Sequence, residues 1–216
     1  MNTATKLLRN YLVLLIAIAT AGTSSALSLT GALHNIDADS SGDWSVGDYS
    51  TVDSFQFYVE AGETVTFDLL AFELFVDLNS DGTLSFLDTT IYLFDDAGTE
   101  LAMNDDDGLW LDSFLSHTFV ASGTYTLAIG QYYLSAEEAR SGMNNERISG
   151  FNISTFSKAD PFSFDAFYQL DVLGNVSSPS MTSGPLAPSP VPEPATATLM
   201  ALGLGGLVLS RKRILL

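Results

Sequence analysis

From Val52 onward, apolar residues recur at every second position in short runs, and this period of two most limits what the chain can fold into. Phe55, Phe57 and Val59 alternate with Ser54, Gln56 and Tyr58. Extended backbone sends successive side chains to opposite faces, so such a run has one face to bury and one to expose. Ala61-Gly62-Glu63 supplies a turn, and Val65, Phe67 and Leu69 resume the alternation, which predicts a β-hairpin. Thr90 to Phe94 is the densest apolar strand, and Asp96-Ala97-Gly98 turns it into Glu100 to Met103. Phe114 to Val120 and Thr124 to Ile129 flank Ala121-Ser122-Gly123 and predict a second hairpin. Gln131 to Asn152 is polar, with a short helix at Ala136 to Arg140, and Phe164 to Leu173 closes the domain as a strand. Leu27 to Ser50 reads as turn-rich. About seven short strands between Gly, Asp and Ser turns predict an all-β fold, an antiparallel β-sandwich of jelly-roll-like form. No helical period is long enough for an α/β alternative.

The two ends have a different character from this body. Met1 to Ala26 reads as a secretory signal peptide. Lys6 and Arg9 precede an apolar stretch from Tyr11 to Ala21, and Ser24-Ser25-Ala26 is a small-x-small cleavage site. The expected cut follows Ala26, and the apolar stretch is too short to span a hydrocarbon core of about 30 Å. The sandwich is expected over residues 27–176. Residues 177–190, rich in Ser and Pro, read as a semi-extended linker that cannot bury a core. Residues 191–216 hold Val191-Pro192-Glu193-Pro194-Ala195, an apolar run to Leu209, and then Arg211-Lys212-Arg213. At about 1.5 Å per residue the apolar run reaches roughly 22 Å as a helix, short of a full span, so a processed tail is expected rather than a permanent anchor. The basic residues place that end on the cytoplasmic side during a transient association with the inner membrane.

Charge separates body from ends. The formal net charge is −18, yet between Ala26 and Pro190 twenty-five acids face only Arg140, Arg147 and Lys158. Such a body repels nucleic acid and anionic membrane and attracts cations. Cysteine is absent, so neither disulfides nor thiolate chemistry contributes.

The acids are not evenly spread. Asp77-Leu78-Asn79-Ser80-Asp81-Gly82-Thr83 and onward to Asp88 follows the spacing of a calcium loop, with Asp88 in place of the closing Glu. Calcium takes six to eight oxygens, and this spacing offers Asp77, Asn79, Asp81 and Asp88, the Thr83 carbonyl, and a Gly at the sharp turn. Asp88 is one methylene short of Glu, so weak, extracellular-type affinity of about 10⁻⁴–10⁻³ M is expected. A second candidate set is Asp95, Asn104, Asp105, Asp106 and Asp112. Asp37 to Asp48 echoes the first loop forty residues earlier, but Ser41 is a weak fifth ligand and Trp44 is unusual at its position. It reads as a simple acidic loop.

The tail, with Pro192, Glu193 and Pro194 ahead of a Gly-rich apolar run and a basic end, resembles the PEP-CTERM sorting signal of Gram-negative bacteria. The resemblance implies export and recognition by an exosortase, a membrane cysteine transpeptidase, in bacteria that make extracellular polysaccharide. Val52 to Phe57, Ile91 to Asp95, Asn104-Asp105-Asp106, Asp112-Ser113 and Gly123-Thr124-Tyr125 are similar to the bacterial pre-peptidase C-terminal type of β-sandwich. That likeness implies a calcium site at Asn104, Asp105 and Asp106. The 77–88 loop looks like a dockerin calcium loop, although a β-type run rather than a helix follows it.

Catalysis finds little support. His34 and His117 are the only histidines, and G-x-S-x-G and H-E-x-x-H patterns are absent. Asp clusters flanked by Gly read as ion ligands rather than as the paired carboxylates of a glycoside hydrolase. The reading is a non-enzymatic, calcium-stabilised sandwich sorted to the cell surface or extracellular matrix. The alternative is a carbohydrate-binding module of the extracellular polysaccharide matrix, with Tyr132, Tyr133, Trp110 and Trp44 stacking on sugar rings.

Overall fold

The computed structural model describes residues 26–184, apart from 72–76, 81–83, 85, 109–110, 149–150, 153–156, 159–161 and 163–164. The chain divides into two units, Met1–Pro185 and Leu186–Leu216. The described residues all lie in the first. The predicted signal peptide, the sorting motif Pro192, Glu193 and Pro194, and the apolar helix expected after it lie outside them. Among the described residues no helix is long and apolar enough to cross a membrane.

Among the described residues thirteen strands and one helix follow in order: β1 (Ala26–Ile36), β2 (Tyr49–Thr51), β3 (Asp53–Val59), β4 (Thr64–Leu70), β5 (Thr89–Phe94), β6 (Glu100–Asn104), β7 (Phe114–Thr118), β8 (Gly123–Gln131), α1 (Ala136–Ser141), β9 (Met143–Asn144), β10 (Phe151–Asn152), β11 (Ser157–Lys158), β12 (Asp165–Leu173) and β13 (Val176–Ser183). One sheet runs β7-β4-β12-β1-β2-β9 and the other β13-β3-β8-β5-β6, with β10 and β11 forming a separate ribbon. All strand pairs are antiparallel. The fold is the expected β-sandwich.

The alternating residues meet between the sheets. Phe55, Phe57 and Val59 of β3 and Ile91 and Leu93 of β5 share one core with Val65, Phe67 and Leu69 of β4 and Tyr168 and Leu170 of β12. Every residue of β5 is buried, because its outer face is covered too. There Tyr92 and Phe94 join Leu134 and Ala139 in a second cluster beneath α1. Gly130 permits that close approach, since a Cβ there would lie 2.8 Å from Leu134 Cδ2. The helix starts on a capping box, Ser135 with Glu138, and ends on Gly142 in the left-handed region.

Both predicted hairpins around Gly62 and Ser122 are corners instead. β3 and β4 belong to different sheets, and so do β7 and β8. An inward-facing period of two fits either neighbour, so the pattern reveals a strand without its partner. The two corners clasp each other: Gly62 N–H donates to the Phe119 carbonyl at 2.7 Å, and Phe119 N–H to that of Glu63 at 2.9 Å. The turn at Asp96-Ala97-Gly98 does join a paired hairpin, β5 with β6. Asp95 Oδ1 caps it, accepting from the N–H groups of Ala97 and Thr99.

Two strands stand where turns and linker were expected. β1 pairs along nine residues with β12, and Gly31 sits opposite Tyr168. The Tyr168 ring lies over that glycine so closely that a Cβ would fall 2.3 Å from Cζ. At the other end the sandwich runs on into the stretch read as a linker. Val176–Ser183 pairs with the free edge of β3, bulging between Ser177 and Ser180. Most of β13 is exposed, as a Ser- and Pro-rich stretch must be. Main-chain hydrogen bonding to an open edge makes it a strand all the same, and Pro179 is tolerated at the bulge.

Candidate metal centre

The acidic residues gather at one end of the sandwich because β5 and β6 are antiparallel. Ile91 lies opposite Asn104, so the residues just before β5 come beside those just after β6. Thr90 Oγ1 donates to Asp105 Oδ1 at 2.7 Å and confirms that register. Carboxylate oxygens of Asp88, Asp105 and Asp106 thereby lie within 4.8 Å of one another. One comes from the first predicted set and two from the second.

The loop from Asp105 to Ser113 is held from several sides. Asn104 Oδ1 accepts from Phe114 N–H at 2.8 Å, and its Nδ2 donates to Asp107. Ser113 Oγ lies 2.9 Å from the Asp105 carbonyl and 2.8 Å from that of Thr89. Asp112 is buried, and its Oδ1 accepts from Ala71 N–H at 2.7 Å. Gly108 N–H donates to the Asp112 carbonyl, and a Cβ at 108 would lie 2.4 Å from that oxygen. Asn104 and Asp112 thus shape the loop. Asp95 is far from it, capping the opposite end of β5 roughly 20 Å away at about 3.3 Å per residue.

Asp88 is the electrostatic centre. Its Oδ1 is buried and accepts no hydrogen bond. Burial first, then the charges of Asp105, Asp106 and Asp112, push its pKa up from 3.8 to about 6. A carboxylate crowded in this way is electrostatically suited to a cation. The donors are hard oxygens, which suit Ca²⁺ or Mg²⁺ rather than a soft metal.

Of the remaining residues predicted as loop ligands, Asp77 and Asn79 are half-buried, while Asp81 and Thr83 lie outside the described residues. Ser80, the fourth loop position, has φ +58°. Ser40 holds the fourth position of the 37–48 loop at the same φ of +58°. In that earlier loop Asp37, Asp39 and Asp48 also bring oxygens within 4.8 Å of one another. Their carboxylates accept from main-chain N–H groups: Asp37 from Ser41 and Gly42, Asp39 from Ser41, and Asp48 from Ala38 and Ser45.

Of the aromatic and histidine candidates, only the two tyrosines are placed beside the acidic site among the described residues. Trp44 stacks with Phe162 at 6.1 Å, and Trp110 lies outside the described residues. His117 packs edge-on against Phe119 at 4.9 Å, and burial lowers its pKa. Tyr132 and Tyr133 border the acidic site and line a cleft with Asp88.

Fold and site together define a β-sandwich with an acidic, oxygen-rich end. Residues 51–131 match the bacterial pre-peptidase C-terminal domain. Residues 190–213 match the PEP-CTERM protein-sorting motif. Both matches agree with the resemblances seen in the sequence, and the second implies an exported protein that is processed by an exosortase and sorted to the cell surface. Comparison with curated proteins finds no match.

Proposed function

We propose that the chain is a non-catalytic surface or matrix protein whose sandwich is stabilised by calcium after export, with Asp88, Asp105 and Asp106 as the principal ligands. The observation that carries this is the buried, hydrogen-bond-free Oδ1 of Asp88 among neighbouring carboxylates. Three like charges in one place are costly without a counter-ion, and a divalent cation reverses the sign of their interaction. On the same reading Asp77 and Asn79 of the preceding loop would be further donors, although Asp77 is not among the three converging carboxylates.

Calcium here serves stability rather than chemistry. A body with twenty-five acids and three bases repels itself, so every bound cation relieves more than its local contacts. The test is calorimetric titration of the chelated full-length protein with Ca²⁺, alongside an Asp105→Asn/Asp106→Asn variant. Wild type should bind at roughly 0.1–1 mM, as extracellular modules do, and the variant at least tenfold more weakly. Equal binding by both would sink the assignment.

A further inference from the structure

Beside the acidic site lies a cleft of about 240 Å³ walled by Asp88, Gln131, Tyr132, Tyr133, Glu146 and Arg147. Clefts for drug-sized ligands span roughly 300–1,000 Å³, so this one suits a single small ring. Its tyrosines are unusual. They are 40% and 70% exposed, and their rings touch, with centroids 3.9 Å apart and planes inclined by 44°. Tyr133 has φ +68°, a conformation costly for a bulky side chain. In extended backbone adjacent side chains diverge to opposite faces. The left-handed turn at Tyr133 lets both rings line one cleft.

The walls are fixed in advance. Tyr132 N–H donates to the Asp88 carbonyl at 2.9 Å, and Leu134 N–H to that of Gln131 at 3.2 Å. On the facing side, Asn35 clamps Ile148 through both ends of its amide, at 2.9 and 3.1 Å. Gln131 Nε2 donates to the Glu146 carbonyl at 2.6 Å and ties the two walls together. A ligand therefore need not order the site as it enters, which removes a common cost of binding.

We propose that this cleft binds one hexopyranose unit of a neutral saccharide, with Tyr132 and Tyr133 as its stacking platform. A pyranose ring has an apolar C–H face, which suits an aromatic surface. Its rim of hydroxyls both donates and accepts, which suits the Glu146 carboxylate and the Arg147 guanidinium. A neutral sugar is favoured over an anionic one because the body is strongly negative and the cleft wall holds two acids against one base. The inference goes beyond the calcium reading and stands on the tyrosines, with Asp88 the residue that the two sites share.

The test titrates the full-length chain, in calcium, with neutral gluco-, galacto- and manno-configured oligosaccharides and with an oligo-uronate, read by saturation-transfer NMR and calorimetry. At least one neutral series should bind. Tyr133→Ala should weaken it about tenfold or more, and Tyr133→Phe should keep it within about threefold, since the ring rather than the hydroxyl is used. Tyr133→Gly relieves the backbone conformation while removing the ring, so it should melt no lower than wild type and still lose binding. The proposal is overturned if no neutral series binds, if Tyr133→Gly binds like wild type, or if the uronate alone binds. Calcium-dependent melting, read separately on the same samples, decides the metal site independently of these outcomes.

Discussion

Replacing Asp88 with Asn should reverse the order of stability between wild type and variant according to calcium. Burial and neighbouring charge raise Asp88 from 3.8 to about 6, so its ionised form is the costly one in the folded protein. At about 1.36 kcal/mol per pKa unit this corresponds to roughly 3 kcal/mol. Because the side chain is partly exposed, solvent screening leaves about 1–1.5 kcal/mol. In chelator at neutral pH, Asn removes that repulsion and its amide can donate to Asp105 or Asp106. The melting temperature should rise by about 2–6 °C, using about 2–4 °C per kcal/mol for a body of this size. In about 10 mM Ca²⁺ the wild type gains about 1.4–2.7 kcal/mol if Kd is about 0.1–1 mM, while the variant gains little. Wild type should then melt higher. The pH dependence has a definite sign. The cost is fully present above about 6 and vanishes below 3.8, so chelated wild type should gain stability on acidification through that window while Asp88→Asn gains less. Thermal unfolding of full-length protein by circular dichroism, in EDTA and in Ca²⁺, reads all four conditions. If the variant melts below wild type in EDTA, Asp88 is not electrostatically crowded. If both respond equally to Ca²⁺, Asp88 is not a ligand.

Four other outcomes are expected. In a host with an exosortase, mass spectrometry of the exported protein should find the Ala195–Leu216 segment missing, whereas its recovery from the cell surface would indicate a simple anchor. Gly31→Ala should cost about 1–3 kcal/mol in urea denaturation, because the Cβ would meet the Tyr168 ring at 2.3 Å. Tyr168→Phe should cost about 1–3 kcal/mol by the same assay, since it strips buried Asp53 of the phenol that donates to its Oδ2 and leaves a carboxylate whose Oδ1 already accepts no bond. Purified protein should show no hydrolysis of peptides, esters or polysaccharides above background, and turnover abolished by one Asp substitution would overturn the non-enzymatic reading.

Strand existence was legible in the sequence where side chains alone determine it, as in Phe55, Phe57 and Val59 or Val65, Phe67 and Leu69. Partnership was not, because a residue that faces inward does so whichever strand lies beside it. Gly62 and Ser122 look the same in a hairpin turn as in a corner between sheets. β1 was hidden by Gly31, which weakens a strand reading yet is present because the Tyr168 ring needs its space. β13 was hidden for the opposite reason. Its strand character belongs to the edge of β3 and is absent from its own Ser- and Pro-rich composition. The helix was readable from Ser135 and Glu138, whose capping box is a purely local signal.

The acidic site was half legible. Loop spacing singled out Asp88, and the likeness to the pre-peptidase C-terminal sandwich singled out Asp105 and Asp106, but both are read along the chain and ligands meet across it. The link between the sets is the β5–β6 hairpin, and its register was within reach: a turn at Asp96-Ala97-Gly98 folds the residues before Thr90 back beside those after Asn104. The 37–48 loop carries the complementary lesson. Its fifth position is weak, yet its oxygens at positions one, three and twelve also come within 4.8 Å of one another. What separates the two clusters is satisfaction rather than composition. Main-chain donors serve each carboxylate of Asp37, Asp39 and Asp48, while Asp88 keeps a buried oxygen with no donor.

That contrast bears on when the fold reaches full stability. A site of roughly millimolar affinity stays largely empty where free calcium is scarce and fills where it is abundant. On the calcium reading, an exported chain would cross the inner membrane with its acidic end still self-repelling. It would gain its last increment of stability only outside. The chain has no cysteine, so oxidative cross-linking cannot mark that passage. The two corners already clasp through main-chain bonds that need no ion, and Tyr168 already bonds Asp53 between the sheets. Calcium would therefore act on a formed sandwich, tightening the end where β5, β6 and β7 converge rather than deciding whether the sheets pair.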